Sequence, residues 1–217
     1  MSEQRANGQP YLVSVDQPDA ARAELVFTFT PKVADPQAAR GPMPRFIVAA
    51  RQEGNRVTFD WSGTQDDPKA AGAEIEQEVL DRIKARAEWL ERVNALVDQV
   101  EAWAKELNWA TRRIEKKVED SFVGDHRVPA LLMQEDTCRI LLEPVGRSAP
   151  GAEGVVDLYL LPAYDDIASL YYYNERWNLH YVFPNAGTAA SVREAEAMPL
   201  TKEAFEKVLA EMRQSAA

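Results

Sequence analysis

The first part of the chain alternates apolar and polar residues, which is the pattern of strands that bury one face. In the run Leu-Val-Phe-Thr-Phe-Thr at residues 25–30, apolar side chains hold the odd positions and threonines hold the even positions after Val26. The β-rich runs lie at residues 11–15, 24–30, 45–51 and 56–61. Gly54-Asn55 predicts a hairpin turn between the last two of these runs. We therefore expect a β-rich section over residues 1–65.

The apolar period then changes to that of a helix. Asp67-Pro68 supplies an N-cap followed by a proline at the first helical position. From Ile75 to Leu107, apolar residues recur every three or four positions, which predicts one helix of about 35–40 residues. A break near Ala85–Ala87 would give two helices instead. A helix of this length exceeds the diameter of a small domain, so pairing with a second copy is one option, and a homodimer is possible.

After Trp109 the pattern returns to that of strands. Candidate strands lie at residues 109–118, 128–134, 137–145, 154–161, 168–174 and 176–183. Short turns join them, and consecutive strands joined in this way can only pair antiparallel. Residues 184–200 read as a loop, and a last helix begins at Thr201, with Phe205, Val208, Leu209 and Met212 as its apolar stripe.

These elements predict an α+β fold. It has an N-terminal β section, a long central α-helix, and a C-terminal antiparallel β-meander of 5–6 strands capped by a C-terminal helix. The domain prediction is a section over residues 1–65 and a second one over residues 66–217, which could be one continuous domain. The pattern leaves open whether the strands form one sheet or two.

Composition and charge narrow the classes of protein to which this chain could belong. The formal net charge of −10 repels phosphate backbones and anionic lipid, so we expect no general nucleic-acid binding and no membrane binding. No apolar run approaches the roughly 18 residues of a membrane span, and the N-terminus lacks a secretory signal, so a cytoplasmic location is expected. The single cysteine, Cys138, excludes an internal disulfide framework and is expected to be a buried strand residue.

Two carboxylates interrupt apolar runs and are therefore candidate functional residues. Asp157 lies in Val-Val-Asp-Leu-Tyr-Leu-Leu and Glu143 in Leu-Leu-Glu-Pro-Val, so each must face water or meet a partner. The candidate partners of Asp157 are Arg139, Arg147, Arg176 and His180. Paired carboxylates can do acid–base chemistry, so the alternative to structural salt bridges is a catalytic site. That site would contain Glu143, Asp157, Asp165, Asp166 and His180.

Aromatic residues are dense in the same stretch and are candidate binding residues. They are Tyr159, Tyr164, Tyr171, Tyr173 and Trp177. Strand alternation places Tyr171 and Tyr173 on one face and Tyr172 on the other. Aromatic side chains combine apolar area with a polar tip, so this strip suits either a core or a recognition surface.

The remaining candidates give weaker indications. The two histidines show no short ligand spacing, so we expect no metal and no cofactor, and His126 falls in a predicted loop where it would be solvated. The basic run at residues 112–117 contains a Glu-x-Lys tripeptide found in nucleases, but the preceding element is a helix rather than the required strand. It fits better an exposed or edge strand protected by charge, with an anion-binding patch as the alternative.

No motif of a nucleotide-binding loop, a nucleophile elbow or a metalloprotease helix occurs. The sequence therefore favours a non-catalytic protein-binding protein of the adaptor or chaperone-like kind. It would act in the cytoplasm on a protein partner, and could self-associate through the long helix. A hydrolytic enzyme built on the carboxylates is the alternative hypothesis.

Overall fold

The computed structural model of the chain describes residues 11–17, 24–31, 46–53, 56–63, 72–164, 167–183 and 195–216. It confirms the α+β class, with a four-stranded sheet, one long helix, a seven-stranded antiparallel sheet and a second helix. The chain divides into two compact units, the first formed by residues 1–87 with 119–125 and the second by residues 88–118 with 126–217.

The first unit contains an antiparallel sheet in the order β1-β2-β3-β4. Its strands are β1 (Tyr11–Asp16), β2 (Glu24–Pro31), β3 (Phe46–Glu53) and β4 (Arg56–Gly63), as the alternation predicted. Phe27 and Val48 pair across β2 and β3, and both are fully buried in the core of this unit. Ile75 and Val79 of the long helix belong to the same core. The predicted turn at Gly54-Asn55 and the predicted N-cap at Asp67-Pro68 lie outside the described residues.

Residues 119–125 pack against the rest of the first unit through two close contacts. The Arg82 guanidinium is buried, donates to the Phe122 carbonyl at 2.5 Å and pairs with the Glu78 carboxylate at 2.6 Å. Gly124 has a φ of +77° and lies so close to Val15 that a Cβ would stand 2.7 Å from the Val15 Cβ. Both interactions tie residues far apart in sequence to one another.

The long helix, α1, is continuous from Gly72 to Glu106 and has 35 residues, so a break near Ala85–Ala87 is excluded. In the second unit its apolar stripe is buried against the sheet of that unit, at Trp89, Val93, Leu96, Val97, Val100 and Ala104. The stripe that suggested pairing with a second copy is thus covered within one chain. Self-association stays a prediction. No helix in the described ranges is long and apolar enough to cross a membrane.

The second unit is a meander, as the short turns predicted. Its strands are β5 (Ala110–Val118), β6 (His126–Glu135), β7 (Cys138–Gly146), β8 (Val155–Leu161), β9 (Ile167–Tyr173), β10 (Arg176–His180) and β11 (Ala197–Pro199). They pair antiparallel in that order, so among the described residues β5 and β11 are the two edges of the sheet. β11 falls in the stretch that the sequence predicted as a loop. Three residues are too few to show a period, and their pairing with β10 comes from tertiary structure.

One face of this sheet packs against both helices. The second helix, α2 (Lys202–Ser215), begins after Thr201, whose hydroxyl accepts a hydrogen bond from the Ala204 amide at 3.2 Å. Its predicted stripe of Phe205, Val208, Leu209 and Met212 is buried. Cys138 is also buried, which raises the pKa of its thiol and favours the unreactive protonated form.

His126 corrects a prediction. The sequence placed it in a loop as a solvated side chain, but it is the first residue of β6 and only 4% exposed. The fully buried Trp89 donates its indole N–H to His126 Nε2 at 2.9 Å. The expectation was wrong because β6 starts two residues earlier than the apolar pattern suggested, and pairing of His126 with Val118 fixes the ring inside the unit.

Candidate binding site

The strand register of the second unit brings four polar residues into one row on the sheet face opposite the helices. Glu143 on β7 lies across from Asp157 on β8, Asp157 from Ser169 on β9, and Ser169 from His180 on β10. The row follows from the sequence, because each of these side chains alternates with buried apolar neighbours such as Leu158. Three of the sequence-predicted site residues therefore share a face, which we call the polar face.

The two carboxylates are held by neighbours rather than by each other. Glu143 pairs with the Lys116 ammonium of β5 at 2.9 Å. Asp157 accepts a hydrogen bond from the Tyr159 hydroxyl at 2.9 Å through Oδ2, while its Oδ1 is buried without a hydrogen-bond partner. The described residues show no ion pair of Asp157 with an arginine.

Tyr159 is locked into this arrangement. Burial raises the pKa of its phenol, and the Asp157 charge and hydrogen bond raise it further. The ring packs against Tyr164 with the centroids 5.3 Å apart. Tyr164 is 49% exposed and has a positive φ of +60° in the turn after β8. The Tyr159–Tyr164 pair therefore lies on the polar face, next to the Asp157 carboxylate.

A pocket of about 250 Å³ opens at the other end of the row. It is lined by Ala149, Pro150, Gly151, Ala152, Tyr171, Tyr173 and His180. The lining is aromatic on one side and formed by small residues on the other, and no lining side chain is a carboxylate, lysine or arginine. We call it the aromatic pocket.

The three rings of the aromatic pocket are set at steep angles to one another. Tyr171 meets His180 edge-on, with centroids 5.1 Å apart and an interplanar angle of 85°. Tyr173 lies at 62° to His180, and its hydroxyl is 3.5 Å from His180 Nε2. Burial lowers the pKa of the His180 imidazole, and the Ala195 backbone offsets only part of that shift. The pocket is therefore lined by neutral groups at physiological pH.

The small-residue wall is a turn held by its own backbone. The amides of Ala149 and Ala152 donate to each other's carbonyls at 3.0 and 2.9 Å. The turn is fixed to β9 where the Glu153 amide donates to the Tyr172 carbonyl at 2.8 Å. The pocket is consequently preformed, because both of its walls are tied by main-chain hydrogen bonds.

The other predicted site residues lie elsewhere or outside the described residues. Trp177 is 9% exposed on the helix-facing side, where it packs edge-on against Tyr172 at 5.3 Å. It lines a second groove beside α1, into which Arg92 places its guanidinium 3.9 Å above the Tyr172 ring. Asp165 and Asp166 fall outside the described residues.

The structure does not gather the predicted carboxylates around His180. Asp157 and His180 are two strands apart, which corresponds to roughly 10 Å between their backbones. Among the described residues, no group of three or more His, Cys, Asp or Glu side chains is placed to hold a metal ion. Sequence reasoning placed a turn at residues 147–151, marked by the Pro150-Gly151 dipeptide, but it did not show that this turn forms one wall of a pocket.

No protein-family model, curated protein or solved structure matches this chain. The site must therefore be interpreted from its geometry alone.

Proposed function

We propose that the chain is a non-catalytic protein-binding protein, of the adaptor or chaperone-like kind, that holds a side chain of its partner in the aromatic pocket. The observation that carries the proposal is the preformed pocket between the Tyr171, Tyr173 and His180 rings and the turn at 149–152. Its volume of about 250 Å³ lies just below the ~300–1,000 Å³ of small-molecule sites, which suits a single inserted side chain.

The chemistry of the lining supports binding rather than reaction. Tyrosines supply apolar contact area and hydroxyl groups at a low entropic cost, and they are enriched at the energetic centres of protein interfaces. The carboxylates of the polar row, Glu143 and Asp157, are engaged by Lys116 and Tyr159 and do not line the pocket. A lowered pKa keeps His180 neutral, so the pocket offers hydrogen-bonding groups without a formal charge.

The test compares partners recovered by the full-length chain and by two variants, with quantitative mass spectrometry of complexes from native cells. Tyr171→Ala with Tyr173→Ala should lose the partner, because both changes remove pocket walls. Tyr164→Asn serves as the matched control, since it removes the most exposed tyrosine of the same face and asparagine tolerates the positive φ. If Tyr164→Asn lost the partner while the double variant kept it, the binding surface would lie outside the aromatic pocket.

Hydrolysis is the second candidate function, and one feature of the strand register bears on it. Ser169 lies between Asp157 and His180 in the row, and its side chain is buried to 6% exposure. In a nucleophilic triad the histidine stands between the serine and the acid, whereas here the serine stands between them. A fluorophosphonate probe decides the question: labelling of Ser169 that disappears in His180→Ala would favour the enzyme.

We also propose that the protein acts in the cytoplasm and self-associates through α1. The exposed side of α1 in the second unit carries polar and charged residues, including Glu88, Glu91, Asn94 and Asp98. Self-association through that side would therefore depend on salt. Light scattering at micromolar concentration that gives the monomer mass of 24.3 kDa would exclude it.

A further inference from the structure

The edge strand β5 is a second surface suited to binding. It pairs with β6 along all nine of its residues, and in the described part of the chain no strand pairs with its other side. The outward N–H and C=O groups of an edge strand are a template for the backbone of another chain. An incoming strand would extend the seven-stranded sheet by one.

The charge of β5 is opposite to that of the whole protein. It carries Arg112, Arg113, Lys116 and Lys117 against the single acid Glu115, in a chain of formal net charge −10. Arg113 pairs with Asp98 and Glu101 of α1, and Lys116 pairs with Glu143. Arg112 is exposed and makes no ion pair with any described residue. The edge thus carries one exposed cation without an ion pair to a described residue, Arg112, beside two cations, Arg113 and Lys116, that acids of the same unit already engage.

A second copy of the chain does not fit this edge. When two identical strands pair antiparallel with their faces matched, opposing residue numbers add to an even number. Centring the pair on Arg113 sets two arginines opposite each other. Centring it on Ile114 sets Arg112 against Lys116, although it also sets Arg113 against Glu115. Centring it on Glu115 opposes two glutamates and also sets Arg113 against Lys117. Every central register therefore opposes like charges, which is unfavourable.

We propose that β5 binds an extended acidic segment of a partner protein as an added antiparallel strand. Backbone hydrogen bonds would supply affinity for any extended chain, and the basic side chains would select glutamate or aspartate at the opposing positions. Because the rest of the protein is acidic and repels acidic chains, such a segment would be confined to β5. This surface is independent of the aromatic pocket, so either can fail without the other.

The test uses synthetic nine-residue peptides and the full-length chain. A labelled peptide that alternates glutamate with valine should bind in fluorescence anisotropy and should slow amide exchange in β5. A peptide with lysine in place of glutamate should not bind. A third peptide, with proline in place of valine, keeps the charge but loses the backbone donor at every second residue, and it should bind more weakly.

Arg112→Glu should weaken binding of the acidic peptide about tenfold, because it turns an attraction into a repulsion. Arg176→Glu is the matched control, since it reverses an exposed charge on β10, which is not an edge strand, and should leave binding unchanged. Equal binding of the proline peptide, or binding without protection of β5 amides, would show non-specific charge attraction and overturn the proposal. Absence of binding would overturn it as well.

Discussion

The buried hydrogen bond between Trp89 and His126 gives a sharp prediction about stability. Trp89→Phe keeps an aromatic ring but removes the donor, which leaves His126 Nε2 buried without the indole N–H that lies 2.9 Å away. Losing the donor of a buried hydrogen bond costs about 1–3 kcal/mol. The smaller ring costs roughly 1–2 kcal/mol more, judged from the 3–5 kcal/mol of full truncation to alanine. The variant should therefore lose about 2–5 kcal/mol of unfolding free energy.

Trp177→Phe is the matched comparison. Trp177 is 9% exposed in the same core, and its indole makes no hydrogen bond with a described residue. It should lose only the roughly 1–2 kcal/mol that the smaller ring costs. Both tryptophans belong to the second compact unit, so both changes are measured in one unfolding transition.

The measurement is urea unfolding followed by far-ultraviolet circular dichroism, since tryptophan fluorescence would change with the substitutions themselves. In a His126→Leu background, Trp89→Phe should cost about 1–3 kcal/mol less, because the acceptor is then absent. Equal losses for Trp89→Phe and Trp177→Phe, within about 0.5 kcal/mol, would refute the reasoning about the buried hydrogen bond.

Two further predictions concern each unit in turn. Gly124→Ala should destabilise the first unit by about 2–5 kcal/mol in the same urea assay, because it adds a left-handed residue and a clash with Val15. In the second unit, Lys105 and Arg113 lower the pKa of Glu101 from 4.5 to about 2, which nuclear magnetic resonance should detect. Its contribution to stability is present above pH ~4.5 and is lost as pH falls towards 2, so Glu101→Gln should flatten that acid limb.

The sequence predicted most of the fold because the apolar rhythm is strong. In β2, Phe27 and Phe29 point to the core and alternate with Thr28, and the predicted strand covers all but one residue of the observed one. The C-terminal end of α1 at Glu106 followed from the apolar stripe, which ends at Leu107. Each of these elements buries one side against its own unit, so local pattern and tertiary packing agree.

The sequence predicted less of the binding site than of the fold. The row from Glu143 to His180 depends on the register of four strands, and a shift of one residue in any turn would move a side chain to the other face. The aromatic pocket depends further on a turn at residues 149–152, whose composition shows only that the chain reverses. Strand alternation did place Tyr171 and Tyr173 together, but it could not show what lies opposite them.

The two faces of the second sheet separate stability from recognition. On β9, Leu170 is fully buried on the helix-facing side, whereas the flanking Tyr171 is only half-buried and lines the pocket. The free energy of folding rests mainly on the dry, close-packed face. Tyr171 and Tyr173, which are only half-buried, can therefore be changed with less loss of stability than Leu170, and loss of a partner in these variants reports on the pocket itself.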